Sequence, residues 1–124
     1  EDIEQLMSVQ ANDYWHYHYL FDETSSYLPK HIGKQLTQSI LINTIAPWYF
    51  AYGEITNEPI FRKRAVQWLL ESAPEKNQVV SGYEELGIAV NSAFDSQALL
   101  QLKAHYCDNR NCLECAIGHS ILKP

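Results

Sequence analysis

The stretch that decides the fold is Phe94-Asp-Ser-Gln-Ala-Leu-Leu-Gln-Leu-Lys-Ala-His-Tyr-Cys107, followed by Asp108-Asn-Arg-Asn111 and Cys112-Leu-Glu-Cys115-Ala-Ile-Gly-His119. In its first part, apolar side chains recur at spacings of three and four residues, which lays one apolar stripe along a helix. The four residues that follow hydrogen-bond readily to their own backbone, so they end that helix. The stretch therefore predicts a C-terminal helical hairpin.

Capping signals set the ends of the two hairpin helices. Ser92 followed by Asp95 fits the serine-x-x-acid pattern at the start of the first helix. Asn111, with a glutamate three residues later, fits a capping box for the second helix. Cys112 is then the first helical residue, where the positive end of the helix dipole favours a thiolate. We expect the second helix to run from Cys112 to His119.

All three cysteines gather at this turn, with the spacing C-x4-C-x2-C at Cys107, Cys112 and Cys115. With His119 as a fourth ligand, they have the donor set of a closed tetrahedral zinc site. The spacing also matches the first three ligands of a plant-type iron–sulfur cluster, although this chain has no fourth cysteine. The sequence predicts one candidate metal site, which would hold zinc or an iron–sulfur cluster.

Other interpretations of the same turn stay open. His105 or Asp108 is an alternative fourth ligand. A second interpretation is that the cysteines are buried thiols that pack the hairpin, as free cysteines commonly do. A third interpretation is a reactive Cys112 with His105 or His119 as its base.

Length and composition bound the class of protein. A chain of 124 residues, 46% of them hydrophobic, is long enough to bury a core as one domain spanning residues 1–124. The apolar runs are too short for a transmembrane helix, so we expect no membrane partner.

Three cysteines, an odd number, favour the reducing cytoplasm over an extracellular disulfide framework. The acidic start without methionine suggests a C-terminal fragment of a longer protein.

Charge argues against a general nucleic-acid-binding surface. The formal net charge is −6, and phosphate binding needs clustered lysine and arginine. The one basic run, Arg62-Lys63-Arg64, is either an ordinary solvated helix face or a small patch for phosphate or an acidic partner. Nucleic acid is therefore a weakly supported partner.

The remaining chain predicts a mainly α, compact domain of about five helices. Residues 36–52 are apolar on nearly every side, which indicates a buried central helix, kinked ahead of Pro47 and ended by Gly53. A helix from Glu58 to Glu71 follows, and Ser72-Ala-Pro-Glu75 fits the capping box of the next. Near the N-terminus, aromatic residues alternate between residues 13 and 21, which favours a short extended segment over the alternative of a helix. Its two histidines, His16 and His18, are either further metal-ligand candidates or hydrogen-bonded side chains beside packed aromatic residues.

Several motifs together resemble one family. They are Tyr14-Trp15 with His18-Tyr19, Ile42-Asn43-Thr44 with Pro47, Ala51-Tyr52-Gly53, Glu75-Lys-Asn77, Ser96-Gln97-Ala98-Leu99, and Tyr106-Cys107 through Cys112-Leu-x-Cys115-x-Ile117-Gly118. The chain is similar to the C-terminal half of a bacterial family called domain of unknown function 2851, in which His119 is not part of the cysteine pattern.

The resemblance implies a role but no established activity. Full-length members carry an N-terminal half whose acidic motifs are similar to those of restriction-endonuclease-like nucleases. We expect a non-catalytic helical accessory or interaction domain that packs on that half. The alternative is an accessory domain of a nuclease-like, nucleic-acid-processing protein with a cysteine-ligated metal site. No catalytic residues are predicted within this chain, because its sequence has no serine–histidine–acid spacing, phosphate loop or dinucleotide-binding glycine pattern.

Overall fold

A computed structural model describes residues 3–122 of the chain, with side chains from residue 5 onward. The elements are α1 (Ile3–Leu6), α2 (Asp13–His16), β1 (His18–Leu20), β2 (Glu23–Thr24), α3 (Lys34–Ile40), a first π-turn (Leu41–Ile45), α4 (Ala46–Ile55), α5 (Pro59–Glu71), α6 (Gln78–Glu85), α7 (Ala93–Leu102), a second π-turn (Lys103–Cys107) and α8 (Ala116–Leu122).

The mainly α fold with about five helices is confirmed. The first π-turn joins α3 to α4, and the second π-turn extends α7. Apart from the short α1 and α2, the chain therefore forms continuous helical segments over 34–55, 59–71, 78–85, 93–107 and 116–122. The strands β1 and β2 form one small antiparallel sheet. The core lies where α5 packs against α4, α7 and the first π-turn, and its most buried side chains are Ile42, Ala46, Ala65, Ala93 and Ser96.

The long helix is irregular ahead of Pro47, as predicted, and the irregularity is the first π-turn. Within it the Ala46 N–H donates to the Leu41 carbonyl, five residues back. Proline has no N–H to continue the α-helical ladder, so carbonyl groups before it need other donors. Within the same segment, Asn43 Nδ2 donates to the Ser39 carbonyl at 3.1 Å.

The hairpin of α4 and α5 depends on Gly53. Our prediction that this glycine ends the helix is wrong, because α4 continues to Ile55. Gly53 is buried, and a Cβ there would lie 2.9 Å from Arg62 Cγ and 3.0 Å from Phe61 Cβ. Next to this contact, the Tyr49 ring packs edge-on against Phe61, with 5.0 Å between centroids. Glycine is needed here because the two helices approach too closely for a side chain.

The capping box predicted at residues 72–75 is wrong. The helix begins later, at Gln78, and its cap is Asn77, whose side chain accepts from the Val80 N–H at 3.0 Å. Asparagine is an equally good cap and stands directly before the helix. Glu75 is therefore left in the loop, where its carboxylate is available for other contacts.

The capping box that begins α7 is confirmed. Ser92 Oγ accepts from the Asp95 N–H at 3.3 Å, and Asp95 Oδ2 accepts from the Ser92 N–H at 3.0 Å. Asp95 also accepts from the Asn91 N–H, and this bond, followed by those to Ser92, lowers the pKa of the Asp95 carboxyl. The local sequence determines this helix start completely.

The aromatic N-terminal segment is extended only in its second half. Residues 13–16 form α2, because Asn12 caps this turn through the Trp15 N–H. The chain becomes a strand at His18 and turns back at Asp22, whose φ of 63° is left-handed. The alternation predicted across the whole segment is therefore wrong for its first four residues.

Candidate functional site

The structure places the predicted metal ligands in different environments. Cys115 is buried, with 7% of its surface exposed, whereas Cys107 and Cys112 are exposed, and all three thiols are free. His119 is exposed on α8. Among residues 5–122, no three His, Cys, Asp or Glu side chains are grouped as a metal site requires. Metal binding by these four residues stays a prediction that this arrangement does not support.

Cys112 is not at a helix N-terminus. The predicted second hairpin helix begins four residues later than expected, at Ala116, and Cys112 lies in the preceding turn. The Asn111 carbonyl accepts from the Glu114 and Cys115 N–H groups at 3.2 and 3.1 Å. The dipole argument for a reactive Cys112 thiolate therefore loses its structural basis, because the effect is confined to the first turn of a helix.

Cys107 contacts a tyrosine. Its Sγ lies 3.6 Å from Tyr83 Oη, and both residues line an open cleft of about 350 Å³ beside α6. The hydrogen bond to Cys107, followed by burial and the charges of the nearby thiols, raises the pKa of Tyr83 to about 12. The thiol and the phenol are thus coupled, with the neutral phenol favoured.

The contact with Cys107 predicts that Tyr83 loses its proton at a higher pH than an ordinary tyrosine. A raised folded pKa means that Tyr83 contributes stability below pH 10, its ordinary value, and that this contribution is lost as pH rises toward about 12. We expect Cys107→Ala to return the Tyr83 pKa toward 10. Ring-carbon NMR titration, assigned with Tyr83→Phe, measures it. A Tyr83 pKa that does not change in Cys107→Ala would contradict the coupling, and Cys112→Ala serves as the control.

The basic run does not form one patch. Arg62 is paired with Glu54, with 2.6 Å between Nη1 and Oε1. The Arg64 guanidinium lies over the Trp68 ring, 5.5 Å from its centroid. Only Lys63 of the three has no such contact among the described residues. This arrangement favours the solvated helix face over the phosphate patch.

The two histidines of the aromatic segment have separate structural roles. His16 is buried, and its Nδ1 accepts from the Lys30 N–H at 3.1 Å. His18 stacks on the Tyr14 ring at 3.9 Å, and its Nδ1 donates to the Tyr14 carbonyl at 2.7 Å. Each ring packs on aromatic neighbours and uses Nδ1 in a hydrogen bond, and neither belongs to a group of three potential metal ligands among the described residues, which favours the packed aromatic interpretation over a metal site.

A polar network that the sequence did not reveal joins three distant segments. Asn43 on the first π-turn donates to Glu75 Oε1 at 3.0 Å, and Gln97 on α7 donates to Glu75 Oε2. Gln97 also lies 3.4 Å from Asn43 Oδ1. Below them, the fully buried Ser96 accepts from the Glu75 N–H at 3.2 Å. Glu75 is thus held by its backbone and by both carboxylate oxygens.

Glu75 also lines an open cleft of about 620 Å³. The cleft lies between α3, the first π-turn and the loop that precedes α6, and its lining residues are Gln35, Gln38, Ser39, Ile42, Ala73, Pro74, Glu75 and Lys76. The only sequence sign of it was that Asn43, Glu75 and Gln97 belong to motifs of the resemblance. Their hydrogen-bonding was not predictable from those motifs.

The central helix is exposed along one face, which corrects the prediction that it is buried. Trp48, Tyr52 and Ile55 recur at spacings of four and three and form what we call the α4 stripe. Trp48 is 63% exposed and Ile55 85% exposed, and the Trp48 and Tyr52 rings stack at 5.5 Å. A helix that is apolar all round is normally covered on every side. The α4 stripe belongs to the part of this helix that the described residues leave uncovered.

Comparison with known proteins gives one match. A family model described as a protein of unknown function (DUF2851) matches residues 1–78. Neither a curated protein nor a solved structure matches the chain. Among the described helices, none is long and apolar enough to cross a lipid bilayer.

Proposed function

The chain belongs to the DUF2851 family of proteins of unknown function, and from that premise we propose that it is a non-catalytic helical interaction domain of a larger protein. The observation that carries the proposal is the α4 stripe. Its three large apolar side chains stand on the helix that also supplies the core residues Ile42 and Ala46. A rigid helix that is anchored on one face and exposed on the other suits protein recognition.

The total solvent-accessible surface area of the chain supports the same proposal. The chain exposes 9502 Å², whereas a compact monomer of its mass exposes about 6,800 Å². The difference, roughly 2,700 Å², exceeds the ~800 Å² that one partner contributes to an interface of standard size. The surface is therefore large enough to accommodate an interface of standard size.

We propose that the chain is the C-terminal half of a longer protein, as its resemblance to the family implies, and that the partner is the N-terminal half. The free state of all three cysteines agrees with the reducing cytoplasm, which is part of the proposal. The nuclease-like alternative has no support in the arrangement of the basic run, in which Arg62 is paired with Glu54.

Binding to the N-terminal half of a full-length family member tests this function. We expect a one-to-one complex by light scattering, and Ile55→Ser should weaken it at least about tenfold, because truncating an interface anchor costs about 2 kcal/mol or more. Leu86→Ser is the matched control, since Leu86 is 77% exposed and also lies at the end of a helix. Equal weakening by both substitutions, or no complex at all, would contradict the proposal. Metal-dependent hydrolysis by this chain alone would contradict its non-catalytic part.

A further inference from the structure

Glu75, which lines the cleft, has a fixed carboxylate with no cationic partner among the described residues. The ion pairs among the described residues join Arg62 to Glu54 and Lys103 to Asp108, so Glu75 has no ionic partner within that part of the chain. Its carboxylate is half-buried, and both of its protein donors are neutral amides. Neutral donors offset only part of the cost of removing a carboxylate from water.

The carboxylate is also held in place before any ligand arrives. Asn43 and Gln97 fix its two oxygens, and Ser96 fixes the backbone behind it while donating to the Ala93 carbonyl at 3.1 Å. Gln38 steadies the other side of the cleft by donating to the Ala73 carbonyl at 2.7 Å. A side chain fixed in this way loses little conformational entropy when a ligand binds.

Several hydrogen-bond acceptors of the cleft stay free beside its donors. Each Glu75 oxygen takes one amide donor, which leaves further lone pairs on both oxygens. The Gln38 amide uses one of its two N–H groups on Ala73, which leaves its carbonyl oxygen as an acceptor and its second N–H as a donor. Lys76 is the one cationic residue in the lining, and its ammonium is beyond salt-bridge distance of Glu75.

We propose that this cleft binds a guanidinium or ammonium group, with Glu75 as its counter-ion. Such a group supplies both the charge and the multiple N–H donors that the carboxylate lacks, and a guanidinium can reach both oxygens at once. The net charge of −6 favours a basic ligand over an acidic one. The inference does not depend on the α4 stripe, so either proposal can fail alone.

Titration with N-acetyl-arginine methylamide, followed by amide NMR, tests the site. We expect shifts at residues that line the cleft and an affinity at least about tenfold above that for the matching citrulline compound, which has the same shape without the charge. The matching lysine compound distinguishes the two groups, and tighter binding of either one supports the site. Equal affinity for citrulline, or shifts only outside the cleft, would overturn the proposal.

Two variants test directly whether Glu75 is the counter-ion. Glu75→Gln should reduce affinity for the arginine compound at least about tenfold. Glu71→Gln removes the same charge from an exposed site on α5 and should leave the affinity unchanged. Circular dichroism checks that both variants are folded. Unchanged binding in folded Glu75→Gln would show that Glu75 is not the counter-ion.

Discussion

Replacing Gly118 with alanine is expected to release α8 from the cysteine turn. A Cβ at residue 118 would overlap the Cys112 carbonyl oxygen and would lie 3.0 Å from its carbonyl carbon. Backbone atoms cannot rotate away from such an overlap, so the helix or the turn has to move. The gain in helix propensity from alanine, about 1 kcal/mol, is too small to offset a clash of this kind. We expect the turn and α8 to open as a unit, while α3 to α7 stay folded.

Cysteine alkylation measures this release. In the unmodified chain the exposed Cys107 and Cys112 should react with iodoacetamide before the buried Cys115. In Gly118→Ala, we expect Cys115 to react at least about tenfold faster, as local opening exposes it. Gly33→Ala is the control, because a Cβ there meets no atom within 4 Å. An unchanged Cys115 rate in Gly118→Ala would show that α8 does not pack on this turn.

Gly53→Ala should destabilise the whole domain. The new Cβ would meet Arg62 Cγ at 2.9 Å and the Arg62 backbone nitrogen at 3.0 Å, so α4 and α5 have to separate. Separation loosens the Tyr49 contacts with Phe61 and Trp68, whose ring centroids lie 5.0 and 4.9 Å away. Overpacking of this kind costs about 1–3 kcal/mol.

Gly82→Ala is the matched substitution for this prediction. Gly82 lies inside α6, and a Cβ there meets no atom within 4 Å, so alanine should stabilise the domain by about 1 kcal/mol. Urea unfolding of both variants should therefore move the midpoint in opposite directions. A stabilised Gly53→Ala would mean that the two helices do not approach as closely as the structure has them.

Much of the secondary structure could be predicted because its causes are local. The Ser92–Asp95 capping box involves residues three apart, and the irregularity ahead of Pro47 follows from a missing N–H. Apolar spacing likewise predicted a helix from Glu58 to Glu71, and the observed helix begins one residue later, at Pro59.

The polar network around Glu75 could not be predicted, since its contacts join distant parts of the chain. Asn43 and Gln97 are 54 residues apart, and Glu75 is 32 residues from the first and 22 from the second. Local pattern instead assigned Glu75 to a capping box. That assignment failed because Asn77 stands nearer to the helix and caps it directly.

The sequence by itself determined most of the helical segments of this protein and where α7 begins, because backbone hydrogen bonds and caps act over three to five residues. Only the tertiary structure decided which helix faces are covered. Apolar spacing marks a side chain as hydrophobic but does not say whether a neighbour reaches it, so Ile42 is buried while Trp48, on the same long helix, is exposed. The roles of Gly53 and Gly118 were decided in the same way, because a close approach of two backbones depends on where the partner segment lies.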